Sequence, residues 1–113
     1  MASRLSALFF DVPDGEESEA VAFWSQALGA EAESSSDPDD PYTGLIGGHA
    51  PLTVEVQRIG GPARIHVDLA AEDVEAEVAR LERLGARRVR QVESWWVMSD
   101  PAGIVFCVVP EDH

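Results

Sequence analysis

Apolar and polar residues alternate from Arg4 to Pro13, with Ala7, Phe9 and Asp11 on one face and Leu8, Phe10 and Val12 on the other. That alternation predicts a strand. The period then changes. Ala20, Phe23, Trp24, Ala27 and Leu28 form an apolar stripe at helical spacing, with Ser18 as the expected cap and Glu19 suited to the positive end of the helix dipole. Gly29 is the expected left-handed terminator. Glu31 to Ser35 predicts a short strand, and the polar, proline-bearing stretch from Ser34 to Pro41 a surface loop. Strands follow at Tyr42 to Ile46 and Leu52 to Ile59, separated by Gly47-Gly48-His49-Ala50-Pro51, before Gly60-Gly61-Pro62 breaks the chain.

The order then repeats. Ala63 to Ala70 predicts a strand, Asp73 an N-cap, and Val74, Val78, Leu81 and Leu84 a helix stripe. Strands at Arg88 to Glu93, Trp95 to Met98 and Ile104 to Val109 complete the chain, with Ser99 to Gly103 as a turn. Leu28-Gly29-Ala30 closes the first helical pattern and Leu84-Gly85-Ala86 the second. The strand ends Asp14 and Asp73 align at an offset of 59 residues. A long period seen only twice indicates duplication of one supersecondary unit. The expected fold is α+β, with two βαβββ modules (residues 1–59 and 63–113) in a single domain of 113 residues. Their curved mixed sheets would form a concave cleft.

The net charge of −13 argues against nucleic acid, whose phosphates require Lys and Arg. No apolar run approaches bilayer length, so no membrane association is expected and the cytoplasm is the default location. Cys107 is the sole cysteine, which excludes an internal disulfide.

The element order, the two Leu-Gly-Ala closures, the strand Arg64-Ile65-His66-Val67-Asp68-Leu69 and the terminus Asp100-Pro101-x-Gly103-x-x-Phe106-Cys107 resemble the vicinal oxygen chelate superfamily. That group contains glyoxalases, extradiol dioxygenases, and fosfomycin- and bleomycin-resistance proteins. The likeness is greatest to short glyoxalase-like bacterial proteins. The resemblance implies a paired βαβββ fold, usually a homodimer, and in catalytic relatives a divalent metal held by the first and fourth strands of both halves. Carried onto this chain, those positions are Ala7, Glu55, His66 and Cys107. Ala7 offers no donor, so the metal candidates are His66, Glu55 and Cys107, with Glu55 also the candidate catalytic carboxylate.

A lone thiol among these ligands favours soft Zn²⁺ over hard cations, although Mn²⁺, Ni²⁺ and Fe²⁺ suit the remaining donors. Buried packing is the plainer role for Cys107, and a hydrogen-bonded cleft histidine the plainer role for His66. Phe9, Gln57, Asp68, Trp95 and Trp96 are candidate cleft residues. The two tryptophans point to opposite faces, so one packs in the core and the other is left as a stacking wall. The acids Asp11, Glu55 and Asp68 favour a small organic ligand that is cationic.

The favoured function is small-molecule binding with a degenerate or absent metal site. A divalent-metal-dependent lyase, isomerase or transferase using Glu55 and His66 is the alternative, and an acidic protein-interaction domain a further one.

Overall fold

The computed structural model describes residues 2–112. It divides into two compact units: residues 7–65, and residues 2–6 together with 66–112. The sequence boundary at Gly60-Gly61-Pro62 thus lies a few residues before the joint between units.

The first unit contains β1 (Arg4–Pro13) from Ala7 onward, α1 (Glu17–Leu28), β2 (Glu31–Ser34), β3 (Tyr42–Ile46) and β4 (Thr53–Ile59). Its strands run in the order β2-β3-β4-β1, parallel between β1 and β4 and antiparallel elsewhere. Leu45, Val54 and Val56 form the buried core, joined on the same face by Leu8, Phe10 and Val12 and covered by Ala20, Val21 and Trp24 of α1. Phe10 and Trp24 stack with centroids 4.0 Å apart and planes 9° from parallel.

Two expectations for α1 are corrected. Ser18 is not the cap, because a turn from Pro13 to Glu16 starts the helix earlier and Glu17 instead accepts from the Gly15 amide at 3.0 Å. Phe23 is not core. It is 62% exposed and touches Trp24 edge-on, and Ala27 and Leu28 are exposed as well, since the face of α1 that packs on the sheet runs through the half-buried Ala20, Val21 and Trp24.

The second unit contains β5 (Arg64–Ala71) from His66 onward, α2 (Val74–Arg83), β6 (Arg87–Val92), β7 (Trp95–Ser99) and β8 (Val105–Pro110). The strand order β5-β8-β7-β6 reproduces that of the first unit, again with one parallel pair, β5 and β8. β6 carries a bulge between Arg88 and Arg90. Asp73 caps α2 as expected, accepting from the Ala76 amide at 3.0 Å. Val74, Val78 and Leu81 pack on Ala71, Met98, Phe106 and Val108. Leu84, expected in this stripe, is 65% exposed, because the helix closes just before it.

Both helices end alike. Gly29 and Gly85 adopt positive φ (62° and 111°) and the next residue, Ala30 or Ala86, donates to the carbonyl of Ser25 or Leu81. Each alanine then joins its unit's core, a closure that satisfies orphan carbonyls and adds an apolar contact.

A buried charge lies on α2. Glu77 is 3% exposed and receives a two-pronged contact from Arg80 (2.7 and 2.7 Å) and two bonds from Ser3 (3.0 and 2.6 Å). The Arg80 hydrogen bond, reinforced by Ser3 and opposed by burial, lowers its pKa from 4.5 to about 2.

Candidate functional site

In each unit the helix covers one sheet face, so alternation assigns the other face to the remaining residues. In the first unit these are Ala7, Phe9 and Asp11 of β1, Thr53, Glu55 and Gln57 of β4, and Tyr42 and Gly44 of β3. In the second they are His66 and Asp68 of β5, Cys107 of β8, and Trp95 and Val97 of β7. The register confirms the repeat residue by residue. Phe9 pairs with Glu55 as Asp68 pairs with Cys107, so Glu55 and Cys107 are structural equivalents.

In the second unit three unlike donors converge. A ring nitrogen of His66, a carboxylate oxygen of Asp68 and the sulfur of Cys107 lie within 4.8 Å of one another. The parallel register sets Asp68 directly beside Cys107, and His66 lies one alternation back along β5. His66 Nε2 is 4.0 Å from Asp68 Oδ1, and both side chains are about nine-tenths shielded from solvent. Ser6 donates its hydroxyl to the backbone carbonyl of Asp68 at 3.2 Å, which ties down β5 at that residue. Val97 lies beside Cys107 on the far side.

In the first unit a pocket of ≈ 550 Å³ opens on the face opposite α1. Glu55, Tyr42, Glu33, Asp40 and His49 line it. The β3–β4 loop forms one wall, and His49 braces that loop by bonding to the Leu45 carbonyl at 2.6 Å. Gln57 donates to the Tyr42 hydroxyl at 3.2 Å, and Phe9 meets the same ring edge-on at 5.9 Å. Asp11, which burial would make costly as a lone charge, is joined to Arg64 at 3.0 Å.

The residues singled out from sequence are therefore divided between the units. His66 and Cys107 come together with Asp68, whereas Glu55 lines the first unit's pocket with Tyr42. Ala7, where the family resemblance implies a ligand, presents a methyl group. The donors that do meet fit a soft divalent metal by their chemistry, one imidazole, one carboxylate and one thiolate. The tryptophan ambiguity also resolves. Trp96 lies on the helix side, donating its indole N–H to Glu75 at 2.6 Å beneath the Arg88 guanidinium, 4.7 Å from the ring centre, so it is not a wall of the open face. Trp95 lies on the face of His66 and Cys107. Glu33, Asp40 and His49 were not singled out as pocket residues, because only the β2–β3–β4 pairing and the loop path bring them beside Glu55.

Comparison with known proteins agrees with this architecture. The chain covers 96% of its length on a hypothetical protein from Bacillus halodurans, and 94% of that chain, with a TM-score of 0.64 at 9% identity. Methylmalonyl-CoA epimerase from Mycobacterium tuberculosis gives a TM-score of 0.64 at 15% identity, covering 94% of this chain and 86% of that one. A variant of the Streptomyces coelicolor epimerase in complex with 2-nitronate-propionyl-CoA gives 0.61 at 13% identity, with 100% of each chain covered. A search of curated protein sequences returns no match. At such identities the structures speak to fold alone. The model of the glyoxalase-like domain, however, matches residues 7–109. This protein therefore belongs to the glyoxalase-like domain family, within the vicinal oxygen chelate superfamily.

Proposed function

We propose that the protein is a glyoxalase-like small-molecule-binding protein whose ligand is an organic cation or amine held in the pocket of the first unit. The observation that carries this reading is the pocket's composition. Its ≈ 550 Å³ suits a small organic molecule, and Glu33, Asp40 and Glu55 line it beside the Tyr42 ring, with no Arg among the described lining residues. Carboxylates with an aromatic face are the combination that recognises a positive group. The same charge weighs against an acyl-CoA such as the one bound to the Streptomyces epimerase variant, because the phosphates of CoA are anionic. The protein is proposed to act in the cytoplasm, the default location expected from its sequence, and as a homodimer, as the resemblance implies.

A second reading, a metal-dependent lyase, isomerase or transferase using Glu55 and His66, draws support from the convergence of His66 with Asp68 and Cys107. The primary reading is tested by screening amines, quaternary ammonium compounds and carboxylates for binding by ligand-observed NMR. Cationic hits weakened more than about tenfold by Glu55→Gln are expected, the size of a lost charge-assisted contact. Hits confined to anions, or cationic hits indifferent to that change, would overturn it. Sedimentation as a monomer at micromolar concentration would refute the homodimer.

A further inference from the structure

We infer, resting on the reading of the first unit's pocket as a cation site, that its ligand is a linear diamine whose two ammonium ends are met by Glu33 and Glu55 across Gly44. The register sets these three residues in one row. Glu33 pairs with Gly44 between β2 and β3, and Gly44 pairs with Glu55 between β3 and β4, with no bulge in either ladder. The row lies on the face away from α1, because Leu45, the neighbour of Gly44, sits in the core beneath that helix. All three residues line the pocket of ≈ 550 Å³, as do Tyr42 and Ile46, the flanking positions of β3 on the same face. The result is a trough with a carboxylate at each end, one aromatic and one aliphatic side wall, and a floor of bare backbone.

The bare floor is the observation that points to a ligand. A glycine inside a strand weakens it and marks a bulge, a bend or the close approach of another group. Gly44 sits in an unbroken ladder, and its φ lies outside the left-handed region. A Cβ there would meet only the Glu33 carbonyl oxygen and Ile46 Cδ1, each at 3.8 Å, which is ordinary contact. Neither backbone nor packing demands glycine. The duplication supplies the comparison. Cys107 is the equivalent of Glu55, so its β7 partner Val97 is the equivalent of Gly44, and Arg90, which pairs with Val97, is that of Glu33. In the second unit the floor of this row is filled and both carboxylates are replaced.

Neighbouring strands lie ~4.8 Å apart, so the backbones of Glu33 and Glu55 are about 10 Å apart. Charge-assisted N–H···O contacts of ~2.8 Å at the two ends take up part of that span. The remainder suits a chain of about three to five methylenes, lying on the Gly44 backbone between Tyr42 and Ile46. Each primary ammonium brings three N–H donors to carboxylates that only accept. A quaternary ammonium has no N–H to give and relies on several aromatic faces, whereas Tyr42 is the only Phe, Tyr or Trp among the described lining residues. Once one end is held, the other meets the opposite carboxylate at high effective concentration, so a diamine outbinds a monoamine.

The test is calorimetric titration of the full chain with 1,4-diaminobutane, 1-aminobutane and the fully methylated, bis-quaternary form of the diamine. The diamine should bind at least tenfold more tightly than either of the others. Glu33→Gln and Glu55→Gln should each weaken it at least tenfold and erase its advantage over the monoamine. Gly44→Val, which copies the second unit, should weaken it at least tenfold, and Gly44→Ala at least threefold with a melting temperature no lower than that of wild type. Equal affinity for diamine and monoamine overturns this inference alone and leaves the cation reading standing. So does diamine binding that is indifferent to Glu33→Gln or to Gly44→Val, or a Gly44→Ala protein that melts lower, since the glycine would then serve the fold. Absence of binding by all three compounds overturns this inference and the cation reading together.

Discussion

Arg64 donates from Nε to Oδ2 of Asp11 at 3.0 Å, so a half-exposed guanidinium at the start of β5 holds a carboxylate sealed from solvent in β1. This pairing takes Asp11 out of the ligand chemistry that its position first suggested. Its charge has a local counterpart, and the acidity of the first unit's pocket comes from Glu33, Asp40 and Glu55 instead. Arg64→Ala should destabilise the protein by about 2 kcal/mol, because it strips a charged partner from a buried carboxylate. Arg64→Lys should recover part of that loss. Urea denaturation of the two variants decides it, and equal stability of wild type and Arg64→Ala would contradict the role.

Glu77 makes stability depend on acid. Its folded pKa of about 2 lies below the ordinary 4.5, so its contribution is fully present above pH 4.5 and disappears as pH falls toward 2. Glu77→Gln should cost about 2 kcal/mol at neutral pH. The gap between wild type and variant should narrow steadily in urea denaturations run down that pH range. A gap that stays constant with pH would show that the carboxylate's charge is not the cause.

The two aromatic residues at the centre of α1 should behave very differently. Trp24→Ala removes the ring stacked on Phe10 and should cost at least ~3 kcal/mol. Phe23→Ala removes an exposed ring with one edge contact and should cost about 1 kcal/mol or less. Thermal unfolding of both variants provides the comparison.

Trp96 joins β7 to α2 through the acceptor on Glu75, while Arg88 covers its ring and reaches both Glu75 (3.3 Å) and Glu82 (3.1 Å). Trp96→Phe keeps an aromatic body but loses the donor, so a loss of about 1 kcal/mol is expected. It should leave the rate of Cys107 alkylation unchanged, since Trp96 lies on the opposite sheet face from Cys107. An altered rate in a folded Trp96→Phe protein would argue against that assignment.

The architecture was legible because its signals are local. Period-two alternation, Asp73 before an apolar stripe, and Leu-Gly-Ala at both helix ends each depend on a few neighbouring residues. The errors fell where local signals compete. A polar Ser18 looks like a cap, but Gly15, with φ of 89°, permits the turn that starts the helix sooner. Phe23 and Trp24 have similar apolarity, and only the position of Phe10 in the sheet selects which one is buried. Alternation placed His66, Asp68, Cys107, Glu55 and Gln57 on the faces away from the helices. Their grouping was harder, because it depends on strand register, and the Asp68–Cys107 alignment is a tertiary fact.

The outermost strands of the two units differ in a way that bears on assembly. β6 presents Arg87, Arg88 and Arg90 around its bulge, whereas β2 presents Glu31 and Glu33. Two copies meeting β6 to β6 would oppose cation to cation, and two meeting β2 to β2 would oppose acid to acid. The complementary union of β2 with β6 is head-to-tail, a heterologous contact that generates rings or filaments rather than a two-fold pair. The bulge interrupts the ladder such a union needs. Charge and backbone thus guard the chain against growing by sheet extension, and the homodimer proposed above would be built from its other surfaces.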